Sequence, residues 1–284
     1  MGTKRYRSKA ALAALLVLAC VGLPTAFEPT AQAQTELNHW QAQQSDVSPP
    51  PAYQTLQVLQ IQADLAQMGY LPVGWNGQAF TFPLPSMPQP LRSLIRPGIP
   101  TVLLQGAEWS YESDRKLRPG SLGLSALLDH LAEDARKGWH ATHPFTYVYV
   151  SEHRPESLLV WSLRGVLREV PANTGVPGAP TALGTHPVFL RLPFQVMRGK
   201  NLDGAAYADP VYNISYFFGG EAVHGFWRAG YGYPQSLGCV ELPLHDAATI
   251  YSEMQIGTLV TVGVGTLTFV ATPLLLPPGP TAVP

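Results

Sequence analysis

Tyr147-Val148-Tyr149-Val150, with Leu158-Leu159-Val160-Trp161 close behind it, is the stretch that decides the architecture. Both runs are built from β-branched and aromatic residues and are too short for helices. Downstream, Val166-Leu167-Arg168-Glu169-Val170, Val188-Phe189-Leu190-Arg191-Leu192 and Ile214-Ser215-Tyr216-Phe217-Phe218 repeat the pattern with Gly and Pro between them. Leu259-Val260-Thr261-Val262 closes the series. Short strands separated by turn signals predict a mainly β sandwich or barrel over residues 143–263. One helix interrupts it, expected over Leu244–Met254 after Pro243.

Upstream the period changes. Leu56, Leu59, Ala63 and Ala66 form one stripe of a helix expected over Thr55–Met68, with Gly69 at the position that ends it. Leu124, Leu127, Leu128, Leu131 and Ala135 mark a second helix, with Ser121 as its expected cap and Gly138 as its stop. Between them Pro83, Pro85, Pro88, Pro90, Pro97 and Pro100 predict an extended, irregular path. Residues 53–142 are therefore expected to form a small, helix-containing N-terminal domain. A Pro-rich linker, 34–52, would precede it, and a Pro-rich tail, 264–284, would follow the β-rich part.

The charge balance excludes one class of partner. Net charge is −1 and only 13% of residues are charged, with no basic stripe, so nucleic acid is not expected. The N-terminus reads as an export signal over residues 1–33. Lys4, Arg5, Arg7 and Lys9 precede the apolar run Ala10–Leu23, and Ala31-Gln32-Ala33 supplies small residues for cleavage. The apolar run is short for a membrane core, and Pro24 closes it, so membrane contact is expected only through this segment. An uncleaved anchor, or a lipoprotein site at Val17-Leu18-Ala19-Cys20, are the alternatives. The expected location is the cell envelope or outside it.

Export makes the cysteine count informative. Of the two, Cys20 would leave with the signal, and Cys239 would remain alone. A single thiol in an oxidising compartment is an intermolecular link, a buried inert group or a reactive one. Its surroundings are Ala222-Val-His224-Gly225, a turn-rich stretch, then Gln235-Ser236-Leu237-Gly238-Cys239-Val240-Glu241-Leu242. A thiol attacks as thiolate and needs a base nearby, and His224, fifteen residues earlier, is within a hairpin-like return. Gly238 removes a Cβ beside the nucleophile, so that backbone N–H groups could approach an oxyanion. A helix beginning near residue 244 would add positive potential if it pointed at the site. Each feature also has an ordinary structural reading, a tight turn for Gly238 and an inert core for the thiol. A zinc site of His224, Cys239 and His245 lacks a close-spaced second pair. A serine hydrolase on Ser236 lacks Gly-x-Ser-x-Gly.

His-Gly followed by Ser-x-Gly-Cys, late in an exported β-rich chain, resembles the catalytic domain of the L,D-transpeptidase (YkuD-type) family. The likeness extends over Trp161 to Gly175, over Pro180-Thr181-Ala-Leu-Gly184 to Phe189, and over Ile256-Gly-Thr-Leu-Val-Thr-Val262, about residues 145–263 in all. Two positions depart from the usual Ser-His-Gly-Cys-x-Arg/Asn: Leu237 replaces the His and Glu241 the Arg or Asn. A carboxylate there disfavours thiolate if it faces Cys239, unless it pairs with Arg228 or receives a substrate amine.

The resemblance implies acyl exchange on peptidoglycan stem peptides without metal or organic cofactor. Cys239 would be the nucleophile, His224 the base and then acid, and the Gly238 backbone part of the oxyanion hole. Ser236, Gly225, Tyr231, Tyr233 and Glu241 would line the substrate groove. An amine acceptor would give a 3→3 cross-link and water a carboxypeptidase. A dead-site wall-binding protein is the further alternative. The first helix, ending in Met68-Gly69-Tyr70-Leu71-Pro72, is similar to the opening of a peptidoglycan-binding domain, with a plain structural cap as the other reading.

Overall fold

The computed structural model describes residues 55–271. The export signal, the Pro-rich linker and the end of the tail lie outside the described residues. The N-terminal part runs α1 (Thr55–Gln67), β1 (Gly74–Trp75), β2 (Phe80–Thr81), β3 (Ser86–Pro88), α2 (Gln89–Ser93), α3 (Val102–Asp114) and α4 (Leu124–Arg136). It is followed by β4 (Thr146–Ser151), β5 (Ser157–Ser162), β6 (Gly165–Pro171), β7 (Gly184–Pro187), β8 (Leu190–Lys200), β9 (Ala206–Phe218), β10 (Glu221–Gly225), β11 (Val240–Leu242), α5 (Leu244–Glu253), β12 (Leu259–Gly263) and β13 (Phe269–Ala271).

Two sheets form the expected β sandwich. A five-stranded sheet has the order β6-β5-β4-β12-β7, and a four-stranded sheet the order β11-β10-β9-β8. Every residue of β4 is buried, because its two faces serve two different cores. Val148 and Val150 point between the sheets, where they meet Val223, Val240 and Leu242 of the second sheet, Ala247 and Ile250 of α5 and Met254 just after it. Tyr147 and Tyr149 point the other way, into a core built with Val58, Ile61 and Leu65 of α1, Tyr111 of α3 and Leu131 of α4. The alternation of Tyr and Val in the opening motif thus records a sheet covered on both sides. The N-terminal helices are one outer layer of that three-layer stack and share its core.

Several local expectations need correction. The proline-rich stretch is not simply irregular: it contains β3 and the short α2, whose Pro90 sits in the first turn, where no N–H is required. Ser121 does not cap α4. Gly123 stands at that position without a side-chain bond, and the Glu112 carboxylate accepts the Gly120 and Leu122 N–H groups just upstream. Within the segment expected to be tail, Phe269–Ala271 pairs antiparallel with β3. The long helix α3 went unanticipated. It docks where Gly106 meets Gly257: a Cβ on Gly106 would lie 2.5 Å from the Gly257 oxygen, and Ser110 Oγ donates to the Ile256 carbonyl at 2.8 Å.

That contact makes a prediction. Gly257 has φ +84° and its missing Cβ would collide with the Gly106 oxygen. Gly257→Ala should cost on the order of 3 kcal/mol of stability in a denaturant titration. Gly265→Ala, with open space at its Cβ, should cost little. Equal effects would show that the helix does not need this approach.

Candidate active site

The site is assembled on the outer face of the four-stranded sheet. β10 and β11 are parallel neighbours, with Val223 opposite Val240, His224 opposite Glu241 and Gly225 opposite Leu242. Because side chains alternate, Val223, Val240 and Leu242 enter the core between the sheets while His224 and Glu241 share the other face. Cys239 lies one residue before the first pair and takes the same face, diagonal to His224, at roughly 8 Å between Cα atoms from strand spacing and rise. Sequence separation is thus cancelled by parallel pairing. Both side chains line one cavity of about 260 Å3.

The turn that presents the thiol is tightly specified. Gly238 has φ +113°, a conformation few L side chains adopt. Ser236 Oγ donates to the Cys239 carbonyl at 2.5 Å and accepts the Gly238 N–H at 3.1 Å. This corrects one expectation: the Gly238 N–H is engaged by Ser236 and is not free for an oxyanion, while Ser236 both holds the turn and lines the cavity, as expected of a groove residue. The Cys239 N–H has no acceptor among the described residues, so it is the donor left at the nucleophile.

His224 is 3% exposed. Its Nδ1 is buried with no hydrogen-bond partner. Burial holds the imidazole below its ordinary range despite the nearby Glu241 carboxylate. Burial also pushes the Cys239 thiol up to about 12; an Ala222 backbone bond opposes the rise, and the charges of Glu241 and Glu221 add to it. The resting pair is therefore a neutral thiol and a neutral imidazole. The expected help from a helix is absent. β11 separates Cys239 from the start of α5, and the thiol is raised, not lowered.

Glu241 is spent on Arg228. Arg228 Nε and Nη2 hold its two oxygens at 2.8 and 2.7 Å, and Nη2 also donates to the Gln235 carbonyl at 3.3 Å. Glu241 and Ser236 line the cavity as expected, whereas the three remaining groove candidates do not. Gly225 is a packing position, where a Cβ would lie 2.9 Å from that of Ala247 on α5. Tyr231 closes a turn, its hydroxyl donating to the Phe226 carbonyl at 2.7 Å and accepting the Arg228 N–H. Tyr233 is exposed beside Gly230. His245 is exposed on α5, apart from His224 and Cys239.

The opposite wall comes from residues that sequence reasoning passed over. β8 and β9 form a long hairpin, paired from Leu190–Tyr216 out to Lys200–Ala206. Met197, Asn201, Tyr207, Asp209 and Val211 face the thiol from it. The alternation of Tyr207, Asp209 and Val211 was the available signal, but exposed positions and Pro210 masked the strand.

A two-sheet sandwich presenting a cysteine beside a histidine from adjacent strands is the class of protein that this fold and site define. Residues 146–262 match the model of the YkuD family, the L,D-transpeptidase catalytic domain. An L,D-transpeptidase structure from Mycobacterium smegmatis aligns at 28% identity over 42% of this chain and 59% of its own, with a TM-score of 0.38. The catalytic domain of the Enterococcus faecium L,D-transpeptidase aligns at 24% identity over 43% of this chain and 99% of its own (TM-score 0.37). L,D-transpeptidase 3 from Mycobacterium tuberculosis aligns at 23% identity over 42% and 61% (TM-score 0.38). The chain thus spans 59% of the first of these. No curated protein matches the sequence.

Proposed function

We propose that this chain is a peptidoglycan L,D-transpeptidase acting through a Cys239 thioester with His224 as proton carrier. One observation carries the reading: a thiol and a buried imidazole with an unpartnered Nδ1 share one face and one cavity. The Cys239 sulfur attacks the carbonyl of an L residue joined to a terminal D residue. Its proton passes to His224 during attack, since the thiol at about 12 holds no standing thiolate near neutrality. The Cys239 N–H receives the oxyanion. When the tetrahedral carbon collapses, the C–N bond breaks and His224 returns the proton to the departing D-amino acid. An amine from a second stem then attacks the thioester, loses its proton to His224, and leaves a 3→3 linkage with the thiol restored.

Water in place of the amine would give a carboxypeptidase, and mass spectrometry of products from tetrapeptide stems distinguishes the two. Cross-linked dimers are the expected product. Free tripeptides alone would replace transfer with hydrolysis, and no turnover with no acyl-enzyme would favour a wall-binding protein with a dead site. The stem substrate lies outside the cytoplasm, consistent with the export signal read at the N-terminus.

A further inference from the structure

Glu156 ends the turn between β4 and β5 and is 1% exposed. Its N–H donates to the Gly232 carbonyl at 2.8 Å, and its carbonyl accepts the Ala172 N–H at 3.1 Å. Its Oε2 accepts both the N–H and the hydroxyl of Thr174, at 2.7 and 3.0 Å. Thr174, buried as well, passes that hold on. Its carbonyl accepts the Gln235 and Ser236 N–H groups at 2.9 and 3.0 Å. Ser236 Oγ in turn donates to the Cys239 carbonyl and accepts the Gly238 N–H. A run of hydrogen bonds thus leads from a buried carboxyl to the turn that carries the thiol.

The nucleophile needs such a hold. β11 begins only at Val240, so Cys239 lies outside the strand ladder, directly after a glycine at φ +113°. Its place is set by loops, and both neighbouring loops are seated on the β4–β5 turn. At Gly232 the approach is so close that a Cβ would lie 3.2 Å from that of Pro155. Burial pushes the Glu156 carboxyl above its usual range, while the two Thr174 bonds and the nearby Arg154 charge act the other way. An oxygen that takes two donors from one residue fixes that residue's backbone and side chain together. We propose that Glu156 is a positioning residue which, through Thr174 and Ser236, sets where the Cys239 sulfur stands relative to His224. Its part in catalysis rests on the Cys239 reading above.

Glu156→Ala should lower the first-order rate of Cys239 acylation at saturating carbapenem about tenfold or more, with the half-saturating concentration nearly unchanged. Glu156→Gln keeps an acceptor oxygen for Thr174 and should recover most of that rate. Intact mass reads the rates per folded molecule. Gly257→Ala, weakened at the α3 contact, should react as the unmodified protein does. A Glu156→Ala rate equal to that of Gly257→Ala, a loss confined to the half-saturating concentration, or no recovery in Glu156→Gln would overturn the assignment. If Glu156→Ala does not fold, Thr174→Val takes its place, since it removes the hydroxyl bond and keeps the N–H. There a loss of about threefold, recovered in Thr174→Ser, is expected, and an unchanged rate would overturn the assignment equally.

Backbone amide exchange reads the same hold without acyl chemistry. In Glu156→Ala the Gln235 and Ser236 N–H groups should exchange about tenfold or more faster, while those of Val148 and Val160 in the five-stranded sheet change less. Equal acceleration of all of them would mean general weakening and would overturn the positioning role. An unmodified protein that gains no adduct would defeat the Cys239 reading alone, because the exchange comparison needs no reaction.

Discussion

Cys239→Ala should abolish covalent labelling of the protein by a carbapenem, and His224→Ala should slow it by about two to four orders of magnitude without unfolding the chain. The first follows from there being one thiol in the described residues. The second follows from the electrostatics of the pair. With the thiol raised to about 12, the spontaneous thiolate fraction near pH 7 is on the order of 10⁻⁵, so a reaction at useful speed needs a base in the transition state. Intact-mass measurements over time read both variants. The pH dependence gives a separate check. In His224→Ala, iodoacetamide alkylation should rise about tenfold per pH unit towards the thiol's own pKa, because only thiolate reacts. In the unmodified protein the carbapenem reaction should hold its rate as pH falls through the ordinary imidazole range. His224 stays neutral below that range, and the rate should drop only once the pH passes its lowered pKa. An acid limb at or above the ordinary histidine value, or an unchanged alkylation rate in His224→Ala, would remove His224 from the mechanism.

How much of this was legible in the sequence depended on whether a residue's role was local. Cys239, Gly238 and His224 stood out because a turn glycine beside a lone thiol and a histidine within a short return are features of adjacent residues. The strands beside them did not: β11, which follows Cys239, has three residues and β10, which carries His224, has five, too few to show a period. The long runs of β4 and β5 could be read because burial on both faces leaves them continuously apolar. Helix α3 escaped for the opposite reason. It buries Leu103, Leu104, Gly106, Ala107, Tyr111 and Glu112, a set broken by a glycine and a carboxylate whose purposes lie elsewhere in the chain. Gly106 serves a loop some 150 residues later. Tyr231, Tyr233 and Gly225 were expected at the groove from nearness to the motif, yet sequence proximity does not set side-chain direction.

Arg228→Ala should destabilise the protein by roughly 3 kcal/mol, because it strands a carboxylate whose side chain is 6% exposed. The lower end of the range for broken buried pairs applies, since Arg228 itself is 31% exposed and solvent already screens part of the interaction. Glu241→Gln should cost less, because the guanidinium it frees can reach water. The two partners should also move the thiol in opposite directions. Glu241 raises the Cys239 pKa, so Glu241→Gln should lower it and speed alkylation at a fixed neutral pH. Arg228→Ala leaves that carboxylate uncompensated and should slow alkylation. A double-mutant cycle on Arg228→Gln and Glu241→Gln separates the pair's coupling from each side chain's packing. Coupling near zero, or a shift of thiol reactivity in the same direction for both partners, would mean that the ion pair does not tune the nucleophile. Matched opposite shifts would mean that this chain carries an acid two residues after its cysteine without surrendering the thiol, because an arginine from the preceding loop holds that acid's charge in balance.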